Sequence, residues 1–101
     1  MSLADVLAED RRLTILLTLC EAPAGSANES VLRLALERVG HRAAHDLVRA
    51  DLTFLTDHGL ASLEKMPNGR GGELWIATLT TRGEDVANGR QHPGVARKGA
   101  D

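Results

Sequence analysis

The sequence predicts a mainly α-helical fold with a small β-hairpin, its elements in the order α-α-α-β-β-α. Three observations predict it. Apolar residues recur at helical spacing through the first 58 positions, and the pattern is broken at Ala22-Pro23-Ala24-Gly25 and again at Gly40. A third helical pattern then stops on Gly59-Leu60 and passes directly into two strand-like runs. Between those runs lies Pro67-Asn68-Gly69-Arg70-Gly71-Gly72, too long for a tight two-residue turn and suited to a mobile loop. A helix pair joined by a short turn and followed by a glycine-tipped hairpin is how a winged helix-turn-helix reads in one sequence. Residues 1–89 are the expected domain, and residues 90–101 an extended or disordered C-terminal tail.

The first helix is expected from Leu3 to Glu21. Leu3, Leu7, Leu13, Leu16, Leu17 and Cys20 form its apolar stripe, with Val6, Ile15 and Leu19 off it. Asp5, Glu9 and Asp10 lie early, where the helix dipole favours negative charge. Pro23 and Gly25 end the helix. Ser26-Ala27-Asn28-Glu29 has capping-box spacing, with Asn28 a competing N-cap. The second helix runs from there to about Val39, its stripe made by Leu32, Ala35, Leu36 and Val39. His41 and Arg42 fill a turn.

A third helix spans about Ala43 to His58. Ala44, Val48, Leu52 and Leu55 face the core, and Gly59 stops it. Strands follow at Leu60–Met66 and Glu73–Leu79. Thr81-Arg82-Gly83-Glu84 again has capping-box spacing and opens a short helix to about Asn88, although Gly83 is an unfavourable residue there.

The chain has 101 residues, enough for one modest core. Its aromatic content is 2%, so the core must be built from Leu, Val, Ile and Ala. Net charge is −2, whereas a strong non-specific nucleic-acid binder is usually basic. The distribution says more. Residues 1–64 carry six Lys/Arg against ten Asp/Glu, and residues 65–101 carry six against four. Positive charge thus collects in the hairpin and tail, at Arg70, Arg82, Arg90, Arg97 and Lys98.

The third helix is the candidate DNA-reading element. Arg42, His45, Asp46, Arg49 and Thr53 lie largely on its outward side, and an arginine there bonds a guanine edge or clamps a phosphate. The candidate wing residues are Lys65, Asn68 and Arg70, with Arg70 set among glycines that let backbone approach a duplex. A solvated charged helix face and a plain surface hairpin are the bland alternatives. The helix is not strongly basic, because Asp46, Asp51 and Asp57 offset Arg42 and Arg49.

No catalytic constellation is evident: there is no glycine-rich phosphate loop before a helix, no HExxH and no nucleophile elbow. An enzyme is not expected, and no cofactor. His41 and His45 are four apart but lack further ligands, so no metal site is expected. Cys20, the single cysteine, reads as a buried thiol. No apolar run approaches the roughly 18 residues of a membrane span, and the opening residues lack the basic start of a secretion signal. A cytoplasmic protein is expected. Val6, Ile15 and Leu19, with the two-faced apolarity of Leu74-Trp75-Ile76-Ala77, exceed what one small core covers, and a homodimer is expected to bury the excess.

Two longer runs carry a resemblance. Asp10-Arg11-Arg12-Leu13 through Glu21-Ala22-Pro23, with Asn28-Glu29-Ser30-Val31-Leu32, resembles the start of winged-helix proteins of the ArsR and MarR type. Ala50-Asp51-Leu52 through His58-Gly59-Leu60, then Leu79-Thr80-Thr81-Arg82-Gly83, resembles the same group, and in particular the small winged-helix proteins of Mu-like phages and prophages. The resemblance implies a sequence-specific, dimeric regulator of transcription bound to double-stranded DNA, with Arg42, His45 and Arg49 on the reading helix and Arg70 on the wing. The metal-sensing members carry a cysteine motif in that helix, and this chain has none there. The alternative reading is a winged-helix protein–protein interaction module that docks a phage or host protein without binding DNA.

Overall fold

The computed structural model describes residues 1–99; Ala100 and Asp101, the end of the expected tail, lie outside the described residues. Among the described residues four α-helices pack around a three-stranded antiparallel sheet: α1 (Leu3–Glu21), β1 (Ser26–Asn28), α2 (Glu29–Arg38), α3 (His45–Asp57), β2 (Ala61–Pro67), β3 (Glu73–Leu79) and α4 (Thr81–Ala87). The expected order α-α-α-β-β-α is corrected by β1. Its three residues pair with β3, Ala27 opposite Ala77, so β3 is the central strand in the sheet order β1-β3-β2. Ala77 is fully buried, with Ala27 on one side and Leu63 on the other.

Helix α1 begins with a reciprocal cap. The Ser2 hydroxyl accepts from the Asp5 amide at 3.1 Å, and the Asp5 carboxylate accepts from the Ser2 amide at 3.2 Å. α2, α3, α4 and β3 all pack on α1, and its buried residues are Arg11, Leu13, Ile15, Leu16 and Leu19. This corrects the expected stripe: Ile15 and Leu19 are sealed in the core, whereas Leu3 and Leu7 are exposed. Cys20 is exposed as well, not a buried thiol. The second half of α1 is apolar almost all round, so its period does not choose a phase; the neighbouring elements do.

Asn28, not Ser26, caps α2, which begins at Glu29; its side chain accepts from the Val31 amide at 2.9 Å. Leu32 and Leu36 form the buried face of α2, while Val39 is exposed past its end. In α3 the core residues are Val48, Leu52 and Leu55. Ala44 is exposed, and Ala43 takes the buried place before the helix. α3 ends on Gly59, whose φ of +72° suits glycine, and the Leu60 amide reaches back to the Leu55 carbonyl at 2.8 Å.

Thr80, one residue before the expected Thr81, caps α4 by accepting from the Gly83 amide at 3.0 Å. The glycine that reads as out of place in α4 has a packing reason: a side-chain carbon at Gly83 would strike the Leu60 carbonyl. Beyond α4 the chain returns to α1. Val95 is buried, the Ala96 amide donates to the Glu9 carbonyl at 3.0 Å, and the Arg12 guanidinium donates to the Gly94 carbonyl at 2.9 Å. Among the described residues no helix is long and apolar enough to cross a membrane.

Candidate nucleic-acid interface

The candidate interface is built on α3 and the β2–β3 hairpin, and its centre is a residue the sequence marked only as a capping partner. Glu29 is the first residue of α2, and its side chain is 1% exposed. Three hydrogen bonds converge on its carboxylate, from Arg49 Nε at 2.7 Å and Nη2 at 2.9 Å and from the Trp75 amide at 2.6 Å, and His45 Nε2 lies 2.8 Å from Oε1. Burial pushes the Glu29 carboxyl up, but the Arg49 guanidinium, the Trp75 amide and His45 outweigh it and hold the group below the usual carboxylate range. The same pairing, against some loss of hydration, raises Arg49 further above its ordinary value. α2, α3 and β3 are thereby joined at one point.

Trp75 extends the junction to β2. Its indole lies 4.6 Å from the Arg49 guanidinium carbon and 4.2 Å from Lys65 Nζ, two cations on one ring. Arg49 Nη2 also donates to the Glu73 carbonyl at 2.9 Å. The sequence-expected residues therefore divide. His45, Arg49 and Lys65 come together around Glu29 and Trp75. Asn68 shapes the hairpin loop, its Oδ1 accepting from the Arg70 amide at 2.8 Å and the Gly72 amide at 3.1 Å. Thr53 donates to the Arg49 carbonyl of its own helix, and Asp46 accepts from the Leu47 amide. Arg42, ahead of α3, and Arg70, at the hairpin tip, are exposed.

Arg42 lines a groove of about 460 Å³ with Arg33, Glu37, His41, Ala43 and Ala44, between α2 and the start of α3. His41 pins that turn to α1 through Asp10, Nε2 to Oδ2 at 2.7 Å. α3 starts at Ala44 without a side-chain cap, and in its first turn Asp46 takes only the Leu47 amide, so part of its positive end stays open toward this groove. Among the described residues no three His, Cys, Asp or Glu side chains are gathered as a metal ion would require.

The charge balance read along α3 also changes. Asp51 does not dilute the outer face: it is 1% exposed and held by Arg11 Nε at 2.6 Å and Arg12 Nε at 3.3 Å. Arg12 in turn lies 3.8 Å over the Phe54 ring. Asp51 shares the helical phase of Val48, Leu52 and Leu55, which was the available signal for its burial. Glu29 lies three and seven residues before Leu32 and Leu36, in the phase of the buried face of α2, which was the corresponding signal.

Against known proteins, the chain is 42% identical over 86 residues to the uncharacterized protein gp26 of Escherichia phage Mu, a match covering 85% of this chain and 83% of that protein. It is 35% identical over 82 residues to an uncharacterized protein of Haemophilus influenzae, covering 81% of this chain and 76% of that one. No family model matches the chain.

Proposed function

The chain belongs to the family of gp26 of Escherichia phage Mu, and from its geometry we propose that it is a winged helix-turn-helix protein that binds double-stranded DNA in the cytoplasm and regulates phage or prophage transcription. One observation carries the reading: helices α2 and α3 are joined by the short turn 39–44 and followed by a hairpin whose inner strand also pairs with β1. A short strand ahead of the helix pair, closing the sheet beside the hairpin, supports a winged-helix reading, and DNA binding follows from it by analogy of fold. The chemistry in its favour is the uncapped start of α3 with Arg33 and Arg42 beside it, and Arg70 at the tip of the loop.

In this reading α3 enters the major groove by its first turns and Arg70 meets the flanking backbone. Arg49 has a different task from the one its position implied. Bound to Glu29, it sets the angle between the reading helix and the hairpin, and Lys65 shares that work through Trp75.

The test is an anisotropy titration of duplex DNA from the region flanking the gene. Arg42→Ala and Arg70→Ala each weaken binding and flatten the dependence of log affinity on log salt by about 1 for each phosphate no longer neutralised. Equal binding by wild type and both variants at about 50 mM salt contradicts the assignment. A second reading, docking of a phage or host protein, draws on the exposed apolar residues Val31 and Leu34 of α2. Capture of a stable partner with no DNA affinity near physiological salt favours it.

A further inference from the structure

A second basic cluster lies at the other end of α3, outside the proposed DNA-reading face. His58, which follows α3, stacks on Phe54 with ring centroids 4.0 Å apart, and His92 tilts against His58 at 5.1 Å. Beside them Leu60, Arg82, Val86, Arg90, Gln91 and His92, with Pro93, line a pocket of about 200 Å³. Its floor is apolar and buried, through Leu60 and Val86. Its charged lining is entirely cationic.

The backbone fixes this arrangement. The Arg90 amide bonds the Asp85 carbonyl, and the Arg97 guanidinium bonds the Gly89 carbonyl. A bridge between His92 and Val95, with Val95 buried, sets His92 against the domain. Arg82 reaches the neighbourhood of Gly59, where a side-chain carbon would lie 3.5 Å from its Nη1. Among the described residues the one carboxylate ion-paired with these cations is Asp85, 4.0 Å from Arg90, with both side chains well exposed. His92 Nδ1 is buried without a hydrogen-bond partner.

We propose that this pocket binds a phosphate group between the Arg82 and Arg90 guanidinia, and that His92 takes up a proton from solvent as the anion enters. Two guanidinia present parallel donors to phosphate oxygens. An imidazole with an orphaned buried nitrogen gains an anionic neighbour. Without the anion, burial, His58, Arg82 and Arg90 all hold His92 below the ordinary histidine range. The charged groups acting on it are His58 after α3, Arg82 of α4 and Arg90 beyond α4, with Asp85 paired to Arg90 and Arg12 over the Phe54 ring on which His58 stacks. A bound dianion reverses the sign of that field, so binding and protonation favour each other and affinity rises as pH falls. The site does not rest on the DNA-binding reading, since Arg42 stands at the opposite end of a 13-residue helix, roughly 20 Å away.

The experiment is a pH titration of the imidazole resonances of the full chain by proton–carbon correlation NMR, in chloride and in inorganic phosphate at equal ionic strength. Phosphate raises the His92 midpoint by at least ~1 over its value in chloride. The Arg82→Gln/Arg90→Gln variant, altered at two exposed positions, keeps the dispersed spectrum of the folded protein and loses the effect. A His92 midpoint indifferent to phosphate overturns the proposal, as does a shift that survives in the double variant. A parallel arm adds a short duplex without terminal phosphates to an Arg42→Ala/Arg70→Ala background. Movement of the His92 midpoint there identifies nucleic-acid backbone as the phosphate source, and movement with inorganic phosphate alone identifies a free phosphate compound; either result supports the site.

Discussion

Replacing Glu29 by glutamine tests the junction on which the shape of the proposed interface depends. The substitution keeps the side-chain volume. It leaves one acceptor oxygen where the carboxylate accepts three hydrogen bonds, and it turns an amide N–H₂ toward the Arg49 guanidinium and the Trp75 amide, which can only donate. A buried donor left unpaired costs about 1–3 kcal/mol. Loss of ionic attraction adds to this, but Arg49 is 30% exposed and regains water, so the total falls short of the ~3–5 kcal/mol of a wholly buried pair. The expected loss is about 2–3 kcal/mol, or a Tm lowered by roughly 10–20 °C in a domain of this size. Urea unfolding followed by circular dichroism measures it.

The pH dependence gives a second readout of the same substitution. Glu29 lies below the ordinary carboxylate range in the folded protein, so its contribution is complete above that range and is lost as pH falls through the folded value. The gap between wild type and Glu29→Gln therefore narrows below about pH 4. A loss under about 0.5 kcal/mol at neutral pH, or a gap that widens in acid, refutes the reasoning.

Three other outcomes follow from the packing. Gly83→Ala forces a methyl group onto the Leu60 carbonyl and lowers stability by more than about 2 kcal/mol, against about 1 kcal/mol of gain that helix propensity alone predicts; thermal unfolding decides the sign. Cys20 is exposed, so a thiol reagent labels the folded protein fully. Partial burial, then Glu84, pushes its pKa up, so labelling accelerates into the alkaline range rather than saturating near neutrality; labelling that requires denaturant contradicts the placement. Leu3, Val6 and Leu7 remain exposed on the first half of α1, and for the homodimer expected from the sequence light scattering gives twice the 10.8 kDa chain mass at tens of micromolar. Leu3→Glu/Leu7→Glu returns the monomer, and a monomeric wild type removes the dimer.

How much of this is legible in the sequence depends on the range over which each feature is determined. The extent of α1, Leu3–Glu21, and of β3, Glu73–Leu79, follows from local punctuation: Pro23 and Gly25 after one, glycines before the other. β1 escapes because three residues carry no strand period of their own. Ser26 to Asn28 are extended only because β3, some fifty residues later, offers a free edge. The buried face of α1 is hidden for a related reason. With Leu, Ile or Cys at most positions from Leu13 to Cys20, the period fits more than one phase, and packing by α2, α3 and α4 selects Ile15, Leu16 and Leu19.

At the candidate site the residue types are readable and their engagements are not. Arg42 and Arg49 look equivalent on a helical wheel, yet Arg49 is spent on Glu29 while Arg42 is exposed. That difference depends on where α2 crosses α3, which local pattern does not encode. Asp51 reads as surface charge on α3, although its helical phase places it among core residues, where Arg11 and Arg12 meet it. The consequence for function is specific. The cations open to a phosphate lie at the ends of the interface, Arg42 with Arg33 before α3 and Arg70 on the hairpin, with the Glu29–Arg49–Trp75 junction as the brace between them.

The most direct test of DNA binding through this face is a proton–nitrogen correlation spectrum of the labelled protein titrated with a short duplex. Amide shifts confined to residues 42–49 and 67–72, reduced as salt is raised, are the predicted result. Shifts confined to the exposed apolar residues of α1 and α2, or an unchanged spectrum at low salt, contradict it.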